Sequence, residues 1–347
     1  MNAATSNSSA APRHPRRLTV DDYVAGVLAG DRAVLARAIT LVESSARRHE
    51  AQAQEVLHRL LPHTGKAKRI GITGVPGVGK STFIETFGCL LTDKGHKLAV
   101  LTIDPTSARS GGSILGDKTR MEKLSLAPNA FIRPSPAGDH LGGVARRTRE
   151  TMLLCEAAGF DPILVESVGV GQTEIALRSM VDFFLLLLLP GAGDELQGIK
   201  KGIVEMADLV LINKADGDNR ARAANAKADQ DAALHYLQPA TPGWKTEVAL
   251  VSGLTGDGLP QTWERIKTFY AELEPKGVTA KRRQQQTLEW LQALIQDELR
   301  RRFERNPRVI AKLPELRAAL LRGETTVVRA ANALLEAHES AKIEEPK

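Results

Sequence analysis

Gly74-Val-Pro-Gly-Val-Gly-Lys-Ser81 is the stretch that decides the fold of this 347-residue chain. It matches the phosphate-binding pattern G-x-x-x-x-G-K-[ST] at every fixed position. Residues 68–73 before it have the apolar pattern of a short buried strand, and residues 82–91 after it have that of a helix. This strand–loop–helix context predicts a loop that binds a nucleoside triphosphate and makes a chance glycine-rich turn a poor explanation.

The chemistry of this loop follows from its residue types. The glycines let main-chain N–H groups turn toward phosphate oxygens, and the next helix adds the positive end of its dipole. We expect Lys80 to contact the β- and γ-phosphates and Ser81 to bind Mg²⁺. The predicted nucleotide-binding residues of the loop are Gly74, Val75, Pro76, Gly77, Val78, Gly79, Lys80, Ser81 and Thr82.

A second motif, Asn213-Lys-Ala-Asp216, follows the apolar run 209–212 and has the N-K-x-D pattern of guanine-specific proteins. The Asp216 carboxylate can accept hydrogen bonds from guanine N1–H and the N2 amino group, a donor pair that adenine lacks. A buried carboxylate left unpaired by the wrong base would cost about 1–3 kcal/mol. We expect Lys214 to lie along the base and Asn213 to tie this loop to the phosphate loop. The motif favours GTP over ATP.

A third segment is predicted to contact the base from the other side. It follows the strand-like run 247–251, and its main-chain amides are expected to face the guanine oxygen. Its residues are Ser252, Gly253 and Leu254.

Three acidic residues are candidates for the Mg²⁺ side of the phosphates. Asp104 ends a strand-like run, Asp117 follows a glycine-rich segment, and Glu166 opens an E-x-x-G variant of the usual D-x-x-G. The Gly169 amide can bond the γ-phosphate, and Glu166 can hold Mg²⁺ through water or orient the attacking water. A single acid would be a helix cap or surface charge, whereas three in this order favour a metal and switch set.

Residues 190–201 contain two glycines and a proline followed by charges. One interpretation is a simple connector. The other is a switch loop in which Asp194 and Lys200 engage the nucleotide only when a partner orders them.

Composition excludes several classes of protein. The net charge of +6 is modest for this length, and the basic triplets 281–283 and 300–302 lack interleaved aromatics. We interpret both triplets as solvated helix faces and predict no nucleic-acid partner. Cys89 and Cys155 fall on apolar helix faces, which suggests reduced core residues in a cytoplasmic protein. The apolar run 183–189 is too short to span a membrane and is predicted to be a central strand.

The chain is predicted to have an α/β fold. Strands and helices alternate over the middle of the chain, which indicates a doubly wound, mainly parallel sheet. We predict a disordered tail at 1–17 in preference to a transit peptide, a helical arm at 18–64, a nucleotide-binding domain at 65–275 and a C-terminal helical dimerisation segment at 276–347. The predicted strands are 69–73, 98–103, 130–133, 163–166, 183–189, 209–212 and 248–251.

These motifs resemble the methylmalonyl-CoA mutase-associated GTPases of the MeaB type, which also carry the name of ArgK-type transport ATPases. The resemblance covers roughly 18–338, and the long middle stretch is far more specific than the phosphate loop alone. One departure from the family pattern is Asp139-His140, where smaller residues are expected before Leu141. The matching stretches are 71–82, 104–121, 132–136, 166–174, 190–195 and 213–216.

The resemblance implies a homodimeric, Mg²⁺-dependent GTPase that cycles between GTP and GDP and dimerises through C-terminal helices. It further implies a chaperone for a B12-dependent acyl-CoA mutase, which gates adenosylcobalamin loading and guards the mutase against inactivation. By position, Asp194 and Lys200 belong to a switch loop that the mutase would order. The implied Mg²⁺ and switch set is Ser81, Asp104, Asp117 and Glu166.

Three other functions stay open on sequence grounds. A nickel-insertion GTPase would carry His/Cys clusters, which this chain lacks. A transport-associated ATPase or kinase would need a phosphoryl acceptor such as arginine or ornithine. A pure GTP-binding module would bind without turnover. We expect slow hydrolysis by the chain alone, because no arginine finger is evident within the core motifs.

Overall fold

The computed structural model describes residues 18–44, 46–103, 121–134, 141–167, 173–191 and 202–339. The predicted tail at 1–17 lies outside the described residues, and so does the unusual turn at Asp139-His140. The domain boundaries given above stay predictions.

A seven-stranded sheet forms the centre of the molecule, and all its neighbouring strands are parallel. The spatial order is β3-β2-β4-β1-β5-β6-β7, so the chain builds one side of β1 and then the other. The predicted doubly wound α/β fold is confirmed. The strands are β1 (Arg69–Gly74), β2 (Leu98–Ile103), β3 (Ala130–Pro134), β4 (Ile163–Ser167), β5 (Phe183–Leu188), β6 (Leu209–Ile212) and β7 (Glu247–Leu250).

Each face of this sheet has its own hydrophobic core. In β5, every residue is buried, and alternate side chains enter opposite cores because strand side chains alternate in direction. Phe183 and Leu185 belong to one core and Phe184 and Leu186 to the other. The run that sequence assigned to a buried central strand is therefore buried on both faces, as parallel sheets covered by helices require.

Three helices form the N-terminal arm: α1 (Val20–Leu28), α2 (Arg32–Glu43) and α3 (Arg47–Leu60). A capping box between Thr19 and Asp22 starts α1, and the Asp31 carboxylate caps α2. Gly30, with φ +72°, makes the turn between these two helices. The arm packs on α6 (Leu141–Ala157), which covers β2 and β4.

The other helices follow the strands and then continue beyond the sheet. They are α4 (Lys80–Asp93), α5 (Glu122–Leu126), α7 (Thr173–Arg178), α8 (Arg220–Leu234), α9 (Leu259–Leu273), α10 (Val278–Glu304), α11 (Pro307–Leu321) and α12 (Val327–Glu339). The predicted C-terminal helical segment at 276–347 contains three of these helices, α10, α11 and α12. Gly323, with φ +73°, follows the end of α11 and allows the chain to turn.

The prediction that both basic triplets are solvated is wrong for the first one. The side chains of Arg282 and Arg283 are only 14% and 17% exposed and meet two fully buried carboxylates, Asp208 and Asp182. Two hydrogen bonds of 2.6 and 2.7 Å join Arg283 to Asp182. This ion cluster attaches α10 to the amino-terminal edge of the sheet.

Two further expectations concern cysteines and membranes. Cys155 is buried in α6, and Cys89 is half-buried in α4; both thiols are free. Burial raises the pKa of each thiol. Within the described parts of the chain, no helix has the length and apolar character needed to cross a membrane.

Candidate functional site

The phosphate loop connects the central strand β1 to the amino terminus of α4. Gly74 ends β1 so close to β5 that a Cβ there would lie 2.5 Å from the carbonyl oxygen of Leu187. Gly79 has φ +91° at the start of α4, where side chains are strained. Both fixed glycines of the motif therefore have a structural reason, and Pro76 and Gly77 are exposed at the tip of the loop.

Lys80 lies inside this loop and is 9% exposed. Its Nζ donates hydrogen bonds to the carbonyl oxygens of Gly74 (2.8 Å) and Val75 (3.3 Å). Burial lowers the pKa of Lys80, and the nearby carboxylates of Glu166 and Glu174 oppose that shift. The Lys80 ammonium group thus lies at the carboxyl edge of the sheet, where it interacts electrostatically with the carboxylates of Glu166 and Glu174.

Asn213 joins the base-binding motif to the phosphate loop, as the sequence predicts. It is 2% exposed at the end of β6, and its Nδ2 donates to the carbonyl oxygen of Val78 at 2.8 Å. Its Oδ1 accepts from the main-chain N–H of Gly253 at 2.9 Å. One amide side chain therefore connects the phosphate loop, the 213–216 motif and the 252–254 segment.

Asp216 and Lys214, the two other motif residues expected to contact the base, differ in their surroundings. The Ser252 hydroxyl donates a short hydrogen bond to the Asp216 carboxylate, and it accepts one from the N–H of Thr255 at 3.0 Å. Lys214 is exposed and has φ +60°, the one positive φ outside glycine among the described residues. Lys214 thus combines a strained backbone conformation with an exposed side chain, while the Ser252 hydroxyl holds the Asp216 carboxylate.

Of the three main-chain N–H groups of 252–254 that the sequence predicts to face the base, two already have partners in the structure. The N–H of Ser252 donates to the carbonyl of Asp257 (3.0 Å), and that of Gly253 donates to Asn213. Among the described residues, only the N–H of Leu254 in this segment has no partner. The carbonyl of Gly253 accepts from Thr86 of α4 at 2.6 Å, which fixes the segment beside the phosphate loop.

The predicted metal and switch residues are described only in part. Glu166 is 6% exposed at the carboxyl end of β4, and Ser81 is half-buried in the first turn of α4. Next to Glu166, the hydroxyls of Ser167 and Thr73 lie 2.7 Å apart and join β4 to β1. The other predicted members, Asp104, Asp117, Gly169, Asp194 and Lys200, lie outside the described residues.

Glu174 is a buried acid to which the sequence motifs assign no role. It lies in the first turn of α7, is 6% exposed and contributes to the electrostatics of Lys80. The sequence signal is its place at the end of the 166–174 stretch, but nothing in that pattern shows that the side chain is buried near Lys80.

Comparisons with known proteins agree on one family. The family model described as "Methylmalonyl Co-A mutase-associated GTPase MeaB" matches residues 35–308. A "Putative GTPase" of Caulobacter vibrioides is 55% identical over 320 residues, covering 92% of this chain and 98% of that protein. The "Methylmalonic aciduria type A homolog, mitochondrial" of Mus musculus is 46% identical over 331 residues, covering 92% and 80%.

One solved structure is similar over nearly the whole chain. It is the crystal structure of a protein named "LAO/AO transport system kinase", which is 37% identical, with a TM-score of 0.74. The match covers 91% of this chain and 96% of that one.

Proposed function

The chain belongs to the MeaB family of methylmalonyl-CoA mutase-associated GTPases, and from this premise we propose that it hydrolyses GTP to GDP and phosphate in support of a B12-dependent acyl-CoA mutase. The observation that carries the proposal is the double hydrogen bond of Asn213. These two bonds join the proposed guanine-binding motif to the phosphate loop and to the 252–254 segment.

Base selection is proposed to reside in Asp216. Its carboxylate accepts the N1–H and N2 amino donors of guanine, and Ser252 holds it in place. Lys214 is exposed and free to cover the base, and the N–H of Leu254 is available to the guanine oxygen. Adenine would leave the carboxylate without donors, and this mismatch costs about 1–3 kcal/mol.

Phosphate binding is proposed for the loop 74–82. Its main-chain amides and the amino terminus of α4 suit phosphate oxygens, and Lys80 supplies the positive charge. Lys80 would exchange its bonds to Gly74 and Val75 for bonds to the β- and γ-phosphates. Glu166, buried at the end of β4, is proposed to orient the attacking water, and the amide of Gly169 to bond the γ-phosphate.

The donor set fits Mg²⁺. Ser81 and Glu166 offer hydroxyl and carboxylate oxygens, which are the ligands that this hard cation prefers, and Asp104 and Asp117 would add two more carboxylates. When bound, Mg²⁺ would neutralise charge that develops on the phosphates. Among the described residues, no group of three His, Cys, Asp or Glu side chains is arranged to hold a metal.

The client is proposed to be methylmalonyl-CoA mutase, because the family description names that enzyme. The finer role is gating of adenosylcobalamin loading and protection of the mutase from inactivation. Asp194 and Lys200 would form a switch loop that the mutase orders. We expect slow GTP hydrolysis by the chain alone and faster hydrolysis with the mutase, so a rate typical of metabolic kinases for the chain alone would refute the switch.

Two accompanying proposals concern assembly and location. We propose a homodimer formed through the C-terminal helices, because α10 exposes Leu288, Leu291, Ile295 and Leu299. We propose a cytoplasmic location on the basis of the two free cysteines.

The decisive test of base selection is a change of specificity. We predict that calorimetry finds GTP binding and no comparable ATP binding. In Asp216→Asn the amide offers one donor and one acceptor, which match the O2 and N1–H of xanthine. This variant should therefore lose at least about tenfold in GTP affinity and gain xanthosine triphosphate binding. ATP binding without GTP binding by the unaltered chain would refute the proposal.

The proposed partner is tested by co-purification with a methylmalonyl-CoA mutase, with and without a non-hydrolysable GTP analogue. A transport-associated kinase, the activity for which the similar solved structure is named, would instead phosphorylate arginine or ornithine. A pure GTP-binding module would show no loss of turnover in Glu166→Ala, whereas the proposed enzyme would.

A further inference from the structure

Glu174 is held close to the phosphate loop by the packing of α7. This short helix contacts both β4 and β1, and its Leu177 fills the space above Gly71. A Cβ at position 71 would lie 2.9 Å from Leu177 Cγ, so strand and helix are in direct contact. Glu174, one turn earlier in α7, is consequently 94% buried near the carboxyl edge of the sheet that the phosphate loop occupies.

The Glu174 carboxylate acts on Lys80 through space. No hydrogen bond or ion pair joins its carboxylate to another residue of the part of the chain that the structure describes. The Lys80 ammonium donates instead to the carbonyl oxygens of Gly74 and Val75. Burial lowers the pKa of Lys80, and the carboxylates of Glu166 and Glu174 oppose that shift, consistent with the place of α7 beside β1 and β4. Two carboxylates therefore stand near one ammonium at the proposed phosphate site.

This excess of negative charge has a consequence for a polyanionic ligand. A buried charge is poorly screened by salt, so Glu174 lowers the electrostatic potential where phosphates would bind. We propose that Glu174 is the affinity-setting residue of the site: its charge makes tight nucleotide binding depend on a divalent cation and speeds GDP release in the absence of one. The inference rests on the proposed guanine-nucleotide site.

The alternative role for Glu174 is to position Lys80 by direct contact. The two roles predict opposite results. If Glu174 repels phosphates, removal of its charge strengthens nucleotide binding without a cation. If it positions Lys80, the same change weakens binding. The hydrogen bonds of Lys80 to its own loop favour the first role.

The test is calorimetric titration of GDP into the full chain, once with EDTA and once with excess Mg²⁺. In Glu174→Gln we expect GDP to bind about tenfold more tightly in EDTA and to dissociate correspondingly more slowly. The affinity in Mg²⁺ should change far less. Glu174→Asp, which keeps the charge, should resemble the unaltered chain.

Glu150→Gln is the matched control, since Glu150 is equally buried but bonds to Gln54 of the arm and to Arg146. It should leave both affinities unchanged. Unchanged or weaker GDP binding by Glu174→Gln in EDTA would overturn the inference. If Glu174→Gln does not fold, Glu174→Met removes the same charge at similar volume and carries the same expectation. Failure of the unaltered chain to bind GDP would refute the proposed function instead.

Discussion

Asn213 is the residue on which the geometry of the site depends most. Its amide satisfies the carbonyl of Val78 and the N–H of Gly253, both inside the protein. In Asn213→Ala both groups lose their partner, so we predict a loss of about 1–3 kcal/mol in the free energy of unfolding. GTP affinity should fall at least about tenfold, because the direct bridge from the 213–216 motif to the phosphate loop is lost. Chemical denaturation and calorimetry measure the two effects.

Asn225→Ala is the control for this substitution, because the Asn225 side chain is exposed in α8 and makes no hydrogen bond with any described residue. Alanine favours helix, so the control should be neutral or slightly stabilising. Equal behaviour of the two variants would mean that the bridge contributes nothing.

At this scale, the sequence predicts residue identity better than conformation. The N-K-x-D pattern and its distance from the phosphate loop predict the bridge that Asn213 makes. The left-handed conformation of Lys214 has no such signal, because lysine does not favour it and only the surrounding structure imposes it. Similarly, the sequence predicts that Ser252 presents its amide to the base, but the structure uses its hydroxyl to hold Asp216.

Among the elements, α10 depends on a buried ion pair for its position. The Asp182 carboxylate is fully buried and accepts hydrogen bonds from Arg283, from the Tyr270 hydroxyl (3.0 Å) and from the N–H of Arg69 (3.1 Å). Arg283→Met leaves this charge without its cation, so we predict a loss of about 3–5 kcal/mol in the free energy of unfolding. Thermal and urea unfolding measure the loss.

The same substitution elsewhere on α10 is the control. Arg300 pairs with Asp297 at 3.0 Å, but its side chain is 47% exposed. Arg300→Met should cost under about 1 kcal/mol, because exposed ion pairs contribute little. Similar losses in both variants would contradict the assignment of Arg283 as the anchor. The two basic triplets look alike in sequence, since composition does not reveal which arginine will meet a buried acid.

For the whole molecule, the proposed assembly follows from the exposed face of α10. Leu288, Leu291, Ile295 and Leu299 recur at helical spacing and are each at least 50% exposed. If this face forms the dimer, Leu291→Arg buries a charge in an apolar interface, and we predict a shift from dimer to monomer in light scattering. Gln296→Arg, on another face of the same helix, should keep the dimer. A monomeric unaltered chain would refute the proposal.

The sequence predicts the central sheet more accurately than it predicts the C-terminal helices. The sequence predicts the bounds of all seven strands to within a residue or two, because each is a short apolar run bounded by turn residues. The doubly wound order followed from alternation with helices. The break between α11 and α12, by contrast, depends on Gly323. A single glycine inside a helical pattern is not enough to predict that the helix ends there.

The hydrophobic pattern of the leucine-rich strand β5 does not determine its register against β1. Both its faces are apolar, so a slip of one residue would exchange leucine for leucine and carry little penalty in hydrophobic burial. What distinguishes the correct alignment is Asp182 at its start, which exchanges hydrogen bonds with the main chain of Arg69. That alignment sets Gly74 opposite Leu187 at the far end. Asp182, at the amino-terminal edge of the sheet, therefore fixes the strand register that positions the phosphate loop at the opposite edge.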